Sequence, residues 1–483
     1  MKLYNSLSRQ IEEFIPNNPT NVTMYACGPT VYDFQHIGNL RTATLMDLLK
    51  RVLQANKFQV KTVMNITDVE DKIEKRASEL NVSVDSITSK YEKIYMNQLL
   101  LLNISADIYP RATDHIAEQI ELIQALEEKG YAYKTDYGIY FDTLKDSDYG
   151  KLGNTFKSDK AQSRIELTEG KKQVEDFALW KFVQKGETRQ KTWGSPWGVG
   201  FPGWHIECSA MSIKTLSNAF VKPLPTSQVG STFETVATEQ HRTSGVRKGF
   251  DENKFETIDI HLGGEDLKEV HHENEMAQSE SVTGKAFIKY WVHGGMLNIE
   301  DTKMSKSLGN FITLQTIIDQ GFEPMVLRYF YYFAHYRSEL KFSWESLKSA
   351  KTALQNLSEY IDYDLDLTGI EQNMYSTAFL EKLNDDLNVP QALAVLFELI
   401  KSNELDENDK KKIVTYAFEI LGLKPIENLT GLEDVGYEVR DLVNKREELR
   451  IKSNFVEADK IRDTIKQMGF EILDGEEIKL RKL

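Results

Sequence analysis

Basic charge, cysteine and long apolar runs are all scarce in this chain, and each scarcity closes a class of function. Its 59 lysines and arginines are outnumbered by 74 aspartates and glutamates across 483 residues, a formal net charge of −15. Phosphate neutralisation dominates the affinity of strongly basic nucleic-acid binders, so any nucleic-acid partner here must be gripped by local basic patches. No segment offers the roughly 18 uncharged apolar residues that a membrane span requires. The stretch Met1 to Thr20 carries Arg9, Glu12 and Glu13 among its apolar residues, unlike a secretory leader. A cytoplasmic protein without a membrane partner is the expectation. Only Cys27 and Cys208 carry thiols, too few for a disulfide framework, so they are either buried free thiols or ligands.

What is present is enough chain for two to four domains, each with a core. From Thr23 to Thr67 the sequence reads strand, turn, helix, strand: VTMYAC, GPT, HIGNLRTATLMDLLKRVLQAN and FQVKTVMNIT. That is a βαβ unit and implies a parallel sheet. Between Asp107 and Gly200 an amphipathic helix, the alternating run YAYKTDYGIYFDT and the turn-rich WGSPWGVGFPGW suggest an insertion between two halves of the sheet. The alternation of apolar, helical and glycine-rich pieces resumes from Gly203 to Asn310. Within it, Phe220 to Phe255 is polar and rich in Ser, Thr and Gly, which suggests a surface insertion. After Ser343 helical periodicity prevails, and Tyr437 to Leu483 reads as a charged helix pair with a short tail.

Three short strings carry chemistry. In YACGPTVYDFQHIGN, His36 and Asn39 stand three apart at a helix start, where orphan N–H groups and the dipole attract phosphate, and Gly38 lets adenosine approach the backbone. Alone, HIGN equally describes a helix start with an incidental histidine. In DTKMSKSLGN, Lys303 and Lys306 occupy a polar loop suited to meeting a pyrophosphate leaving group, or merely to solvation. In HLGGEDLKEVHHENEMAQSES a glycine turn precedes a helix with His271 and Glu275 four apart on one face, a spacing that can hold one metal ion. Cys27 and Cys208 would complete a Cys2HisGlu set of soft and borderline zinc ligands. A protease HExxH motif is excluded, because Met276 stands where it needs histidine.

HIGN followed far downstream by KMSKS resembles the two ATP signatures of class I aminoacyl-tRNA synthetases. Together YACGPTVYD, HIGN, NITDVEDKI, GWHIECSAMS, HHENEMAQ, KMSKS and AHYRSELKFS resemble the cysteinyl-tRNA synthetase family in order, over about the first three-quarters of the chain. The resemblance implies an α/β fold: a Rossmann-like parallel-sheet catalytic domain with an inserted connective domain, followed by a C-terminal α-helical bundle. Its expected boundaries are 1–110 and 201–310 for the catalytic halves, 111–200 for the connective insertion and 220–255 for the surface insertion. A linking segment at 311–345, a bundle at 346–436 and an anticodon-binding region at 437–483 follow.

The resemblance further implies one zinc per chain on Cys27, Cys208, His271 and Glu275, with Thr67 and Trp204 lining the cysteine pocket. Gly38, Gly263, Gly264 and Asp266 would hold adenosine, and His36, Asn39, Lys303 and Lys306 the phosphates of ATP with its Mg²⁺. Its partners would be tRNA(Cys), cysteine and ATP, and the chain would act as a monomer. Four features depart from the family pattern. Asn39 ends a string that is usually HIGH, Glu269 and Val270 replace Phe-Pro, the segment 220–255 is longer, and EILDGEEIKLRKL lacks the tryptophan common near the end. The alternatives are a related ligase joining cysteine to an amino sugar, and a synthetase-derived zinc-containing binding protein without catalysis.

Overall fold

The computed structural model describes residues 1–154, 170–220, 249–299, 311–427 and 435–473, with the strands at 302–303, 429–431 and 479–482. Four strands rich in β-branched and apolar residues form the centre. β1 (Asn21–Ala26) leads into α1 (Ile37–Ala55), which returns the chain to β2 (Gln59–Met64). After the insertion come α2 (Trp204–Leu216), β3 (Ile258–Gly264), α3 (Glu273–Thr283) and β4 (Ile288–Gly294). The strands pair in parallel in the order β4-β3-β1-β2. Parallel sheets are covered on both faces, and the side chains divide accordingly. Met24, Ala26, Met64, Leu262 and Val292 join the core under α1 and the C-terminal helices, whereas Tyr25, Val63, Ile258 and Trp291 join the core under the insertion, α2 and α3.

The insertion is an antiparallel five-stranded sheet built from Ala132–Lys134, Gly138–Phe141, Phe177–Phe182, Gly198–Pro202 and Trp193–Ser195, in that spatial order. Beyond the parallel sheet, β5 (Leu297–Ile299) lies between β6 (Thr302–Lys303), antiparallel to it, and β7 (Leu340–Phe342), parallel to it.

The stretch expected as a simple link, 311–345, is packed: Leu314, Ile317, Val326, Leu327 and Phe330 are buried in the main core. Of the expected surface insertion, 221–248 lies outside the described residues, while Phe250 and Phe255 at its end are buried. The C-terminal part is helical, ending in α4 (Tyr437–Ile451) and α5 (Phe455–Gln467). It also contains a sheet that the periodicity did not reveal, because its strands are only three or four residues long. Leu429–Gly431 pairs with Lys479–Lys482, which pairs with Phe470–Leu473. A small separate core around Val443, Ile465 and Leu480 holds this unit together. Among the described residues, no helix is long and apolar enough to cross a membrane.

Candidate active site and metal centre

Strand order reverses between β1 and β3, and in such sheets the crevice at the carboxyl ends of the strands receives ligands. A solvent-open cleft of about 290 Å³ lies there, lined among others by Cys27, Gly28, His36, Asn39, Trp204, Gly264 and Asp266. Cys27 follows β1 directly and Gly264 ends β3, so ordinary strand geometry brings them to the same edge.

The N-terminus of α1 faces this cleft through His36 and Asn39. His36 is the N-cap: its Nδ1 accepts from the Asn39 N–H at 3.2 Å, and the Asn39 Oδ1 accepts from the His36 N–H at 3.3 Å. This reciprocal capping box is usually built from Ser or Thr with Glu. It explains locally why an asparagine is stable at the fourth position of HIGN. Gly38 does not line the cleft, and a Cβ there would stand 2.9 Å from the His36 Nδ1, so the glycine admits the capping imidazole.

KMSKS lies outside the described residues except for the β6 backbone at Thr302–Lys303, and so does Lys306. Its flanks are placed. Thr302–Lys303 pairs with β5, and on the far side Thr313 forms a β-bridge with His36 while Ile37 N–H donates to the Ile312 carbonyl at 3.0 Å. Phe311 packs edge-on against the His36 ring. Residues 311–313, which follow the KMSKS string, therefore lie beside the helix start that carries HIGN, far away in sequence.

Beneath the cleft, Cys27, Cys208, His271 and Glu275 present one ligand atom each, all within 4.8 Å of one another. Cys208 comes from α2, the helix begun by Trp204. His271 and Glu275 come from a helix whose first turn is not α-helical: Glu265–Leu267 is a 3₁₀ turn and Lys268–His272 a π turn before α3 starts. Such wide turns are frequent at functional sites. Here it brings both His271 and His272 inside, where both are buried. His271 Nε2 and Glu275 Oε1 are 3.0 Å apart. Trp204 covers this pair from the cleft, its ring 4.1 Å from that of His271.

The groups set one another's charge. Burial opposes ionisation of Glu275, yet His261 and His271 hold its carboxyl down at about 2. Burial likewise opposes charging His271, but Glu275 and Cys208 push its imidazole up to about 10. The hydrogen bond from Cys27 pulls the Cys208 thiol down to about 6, while burial and the same partner push the Cys27 thiol up. Two sulfurs, an imidazole and a carboxylate, drawn together in a buried space, fit a borderline-soft divalent ion such as zinc. A second set, Cys27 with His261, His272 and Glu275, meets the same spacing.

Four further histidines surround these ligands, and the motif reading did not assign them. His205 Nδ1 is 2.9 Å from His271 Nδ1, His261 Nε2 is 3.1 Å from Glu275 Oε2, and the chain His272–His293–Ser6 continues at 2.8 and 2.7 Å. Burial pushes His205 and His272 well below the usual imidazole range and His293 down to about 3, so these three are neutral. The available signal was a histidine within the otherwise apolar strand IDIHLGG, since a buried polar side chain needs a partner.

Two other expected site residues are behind the cleft wall. Thr67 is buried, its hydroxyl accepting from Asn65 Nδ2 at 3.2 Å, and does not line the cleft. Gly263 is also set back: a Cβ there would come within 2.5 Å of the His272 ring, so its role is to let that imidazole approach the strand. Lys72, from the NITDVEDKI string, does line the cleft, although the motif reading gave it no role.

Comparison with known proteins places this site in context. The family described as "tRNA synthetases class I (C) catalytic domain" matches residues 13–222 and 249–352, and "DALR domain" matches 378–423. The chain is 40% identical to a cysteine–tRNA ligase 1 from Burkholderia lata over 99% of its own length and 96% of that protein's. It is 40% identical to a cysteine–tRNA ligase from a Geobacillus species, covering 98% and 97% of the two chains. Among solved structures, a Mycobacterium tuberculosis methionyl-tRNA synthetase in complex with methionyl-adenylate superposes with a TM-score of 0.52 at 14% identity, over 83% of this chain and 89% of that one. At that identity the likeness speaks for the fold.

Proposed function

The chain belongs to the cysteine–tRNA ligase family of class I aminoacyl-tRNA synthetases, and from that premise we propose how its own residues divide the work of activating cysteine with ATP and charging tRNA(Cys). The observation that carries this reading is the convergence of a buried Cys2HisGlu cluster and a capped helix start on one cleft.

The cysteine carboxylate attacks the α-phosphate of ATP, giving cysteinyl-adenylate and pyrophosphate, and the terminal ribose hydroxyl of the tRNA then takes the aminoacyl group. No protein nucleophile is required. The protein positions reactants and stabilises charge. The N-terminus of α1, with His36 and the Asn39 amide N–H₂, receives phosphate oxygens, while Gly264 and Asp266 flank the adenosine. Lys303 and Lys306 meet the departing pyrophosphate, whose Mg²⁺ arrives with the nucleotide. Trp204 closes the cysteine end over His271, and Thr67 supports that end from behind the wall.

Cys27, Cys208, His271 and Glu275 would hold zinc, with His261, His272 and His205 fixing ring orientations behind them. Bound there, zinc would supply a Lewis-acidic position that favours a thiolate over a serine hydroxyl. The set with two thiols is preferred over the His261–His272 set because soft ligands select zinc.

Two observations weigh against the alternatives. The near-complete alignments include the C-terminal part, with its DALR match, which an amino-sugar ligase would not need. The HIGN, KMSKS and ligand sets are all present, which a binding protein without catalysis would not require. The test is cysteine-dependent pyrophosphate exchange and tRNA charging, with zinc content measured alongside. Protein stripped of metal that still activates cysteine and rejects serine would overturn the metal reading, and exchange without charging would favour the amino-sugar ligase.

A further inference from the structure

One buried cation in the described structure has no carboxylate partner and no place in the mechanism above. Arg41 lies on α1, five residues beyond His36, and is 6% exposed. Its guanidinium donates to main-chain carbonyl oxygens alone. Nη1 reaches Gly295 and Met296 at 2.7 and 2.9 Å, and Nη2 reaches Ser338, His335 and Tyr336 at 2.8, 3.3 and 3.5 Å.

Those carbonyls belong to two segments. Gly295–Met296 leads directly into β5, whose other neighbour β6 opens the KMSKS string, and the turn His335–Ser338 leads into β7 on the opposite side of β5. The two segments are pressed together. Gly295 N–H donates to the Tyr336 carbonyl at 2.7 Å, and a Cβ on Gly295 would stand 2.5 Å from the Ser338 oxygen, so no larger residue fits. Carbonyl oxygens converging at such range repel one another, and a planar fork with five N–H donors is the side chain that satisfies many at once. The loss of hydration is felt by Arg41 itself: burial lowers its pKa to about 10. Below, Asp386 fixes the same turn by accepting from the Tyr336 hydroxyl at 2.7 Å and from Arg337 Nε at 2.8 Å.

We propose that Arg41 is a positioning residue for the activation step: its guanidinium locks the β5–β6–β7 strands, and hence the entry to KMSKS, to the helix that presents His36 and Asn39. The inference rests on the proposed phosphate roles of His36, Asn39 and Lys306, and adds the element that sets the distance between them. Lysine carries the charge but has no fork to span both segments.

The test uses the full chain with its metal, as Arg41→Lys and Arg41→Gln variants, with kcat for pyrophosphate exchange normalised to active-site titre. A displacement of about 1 Å between catalytic elements can cost roughly 10²-fold, so Arg41→Lys is expected to lower kcat by about that factor. Its KM for cysteine should stay within about twofold, because the cysteine end of the cleft is untouched. If Arg41 acts through the loop, combining Arg41→Lys with Lys306→Ala lowers kcat little beyond Lys306→Ala alone. A folded, zinc-replete Arg41→Lys variant with unchanged kcat overturns the proposal, and so does a fully additive loss in the double variant. Should Arg41→Gln fail to fold, Arg41→Lys decides alone. A silent Lys306→Ala beside an impaired Arg41→Lys would overturn the phosphate reading and leave the link between helix and strands standing.

Discussion

The ligand cluster beneath the parallel sheet and the charged surface of α4 and α5 draw on similar ionisable side chains, yet they obey different physics. Glu275 is fully buried and faces two imidazoles, which together move its protonation by more than burial opposes it. On the helix pair, Lys445 meets Asp441 at 2.6 Å and Lys460 meets Glu457 at 2.7 Å, both lysine side chains more than half exposed. Such i,i+3 and i,i+4 pairs are screened by water and salt and contribute little. Burial is what turns a cluster of charges into a defined site. Exposure leaves charges free to be recruited by a partner.

The comparison is tested most severely at Cys208. Cys208→Ser should lose zinc, measured per chain by elemental analysis, and cysteine-dependent pyrophosphate exchange together. The loss should exceed the roughly 10–100-fold that removal of an outer partner brings. A metal-replete variant with full exchange would dissolve the distinction between the two regions.

Removing the other region should do the opposite. The unit includes Leu429–Gly431, which pairs with the tail, so the cut that takes it away whole falls before Leu429 rather than before Tyr437. The shortened chain should form adenylate within about twofold of the full chain, while tRNA charging falls at least about tenfold as phosphate contacts disappear. Equal loss of both activities would show that the region serves the catalytic fold instead.

The smallest effect is expected from Lys445→Ala combined with Lys460→Ala. Melting temperature should not change measurably, whereas tRNA charging should weaken and become less sensitive to salt. A clear drop in melting temperature would mean that these pairs are structural. Arg446 is the counterexample within the same helix. It reads as one more basic residue available to RNA, but it is buried, 2.6 Å from Glu447.

The HIGN and KMSKS strings, the ligand pair on one helix turn and the βαβ start were legible because each is contiguous or follows a local period. Thr67 and Gly263 were harder. Their strings are characteristic, but Gly263 near the end of β3 and Thr67 three residues beyond β2 stand where only the packed neighbours decide whether a residue lines the cleft or backs it. His205, His261 and His293 come from a helix and two strands separated in sequence, with no spacing to connect them. The C-terminal sheet escaped for a related reason, since strands of three or four residues acquire meaning only from their partners, and Leu429–Gly431 meets its own at Lys479–Arg481, distant in sequence.

By itself, then, the sequence determined the reaction class and the parallel-sheet scaffold, and it picked out four side chains that the fold draws within 4.8 Å of one another, because local chain geometry carries those patterns. Tertiary structure alone decided that Glu275 is ionised at about 2, that Arg446 is packed away and that Arg41 gathers five carbonyls. Protonation and hydrogen-bond satisfaction depend on which groups share a desolvated space, and that is fixed only when distant segments close on one another.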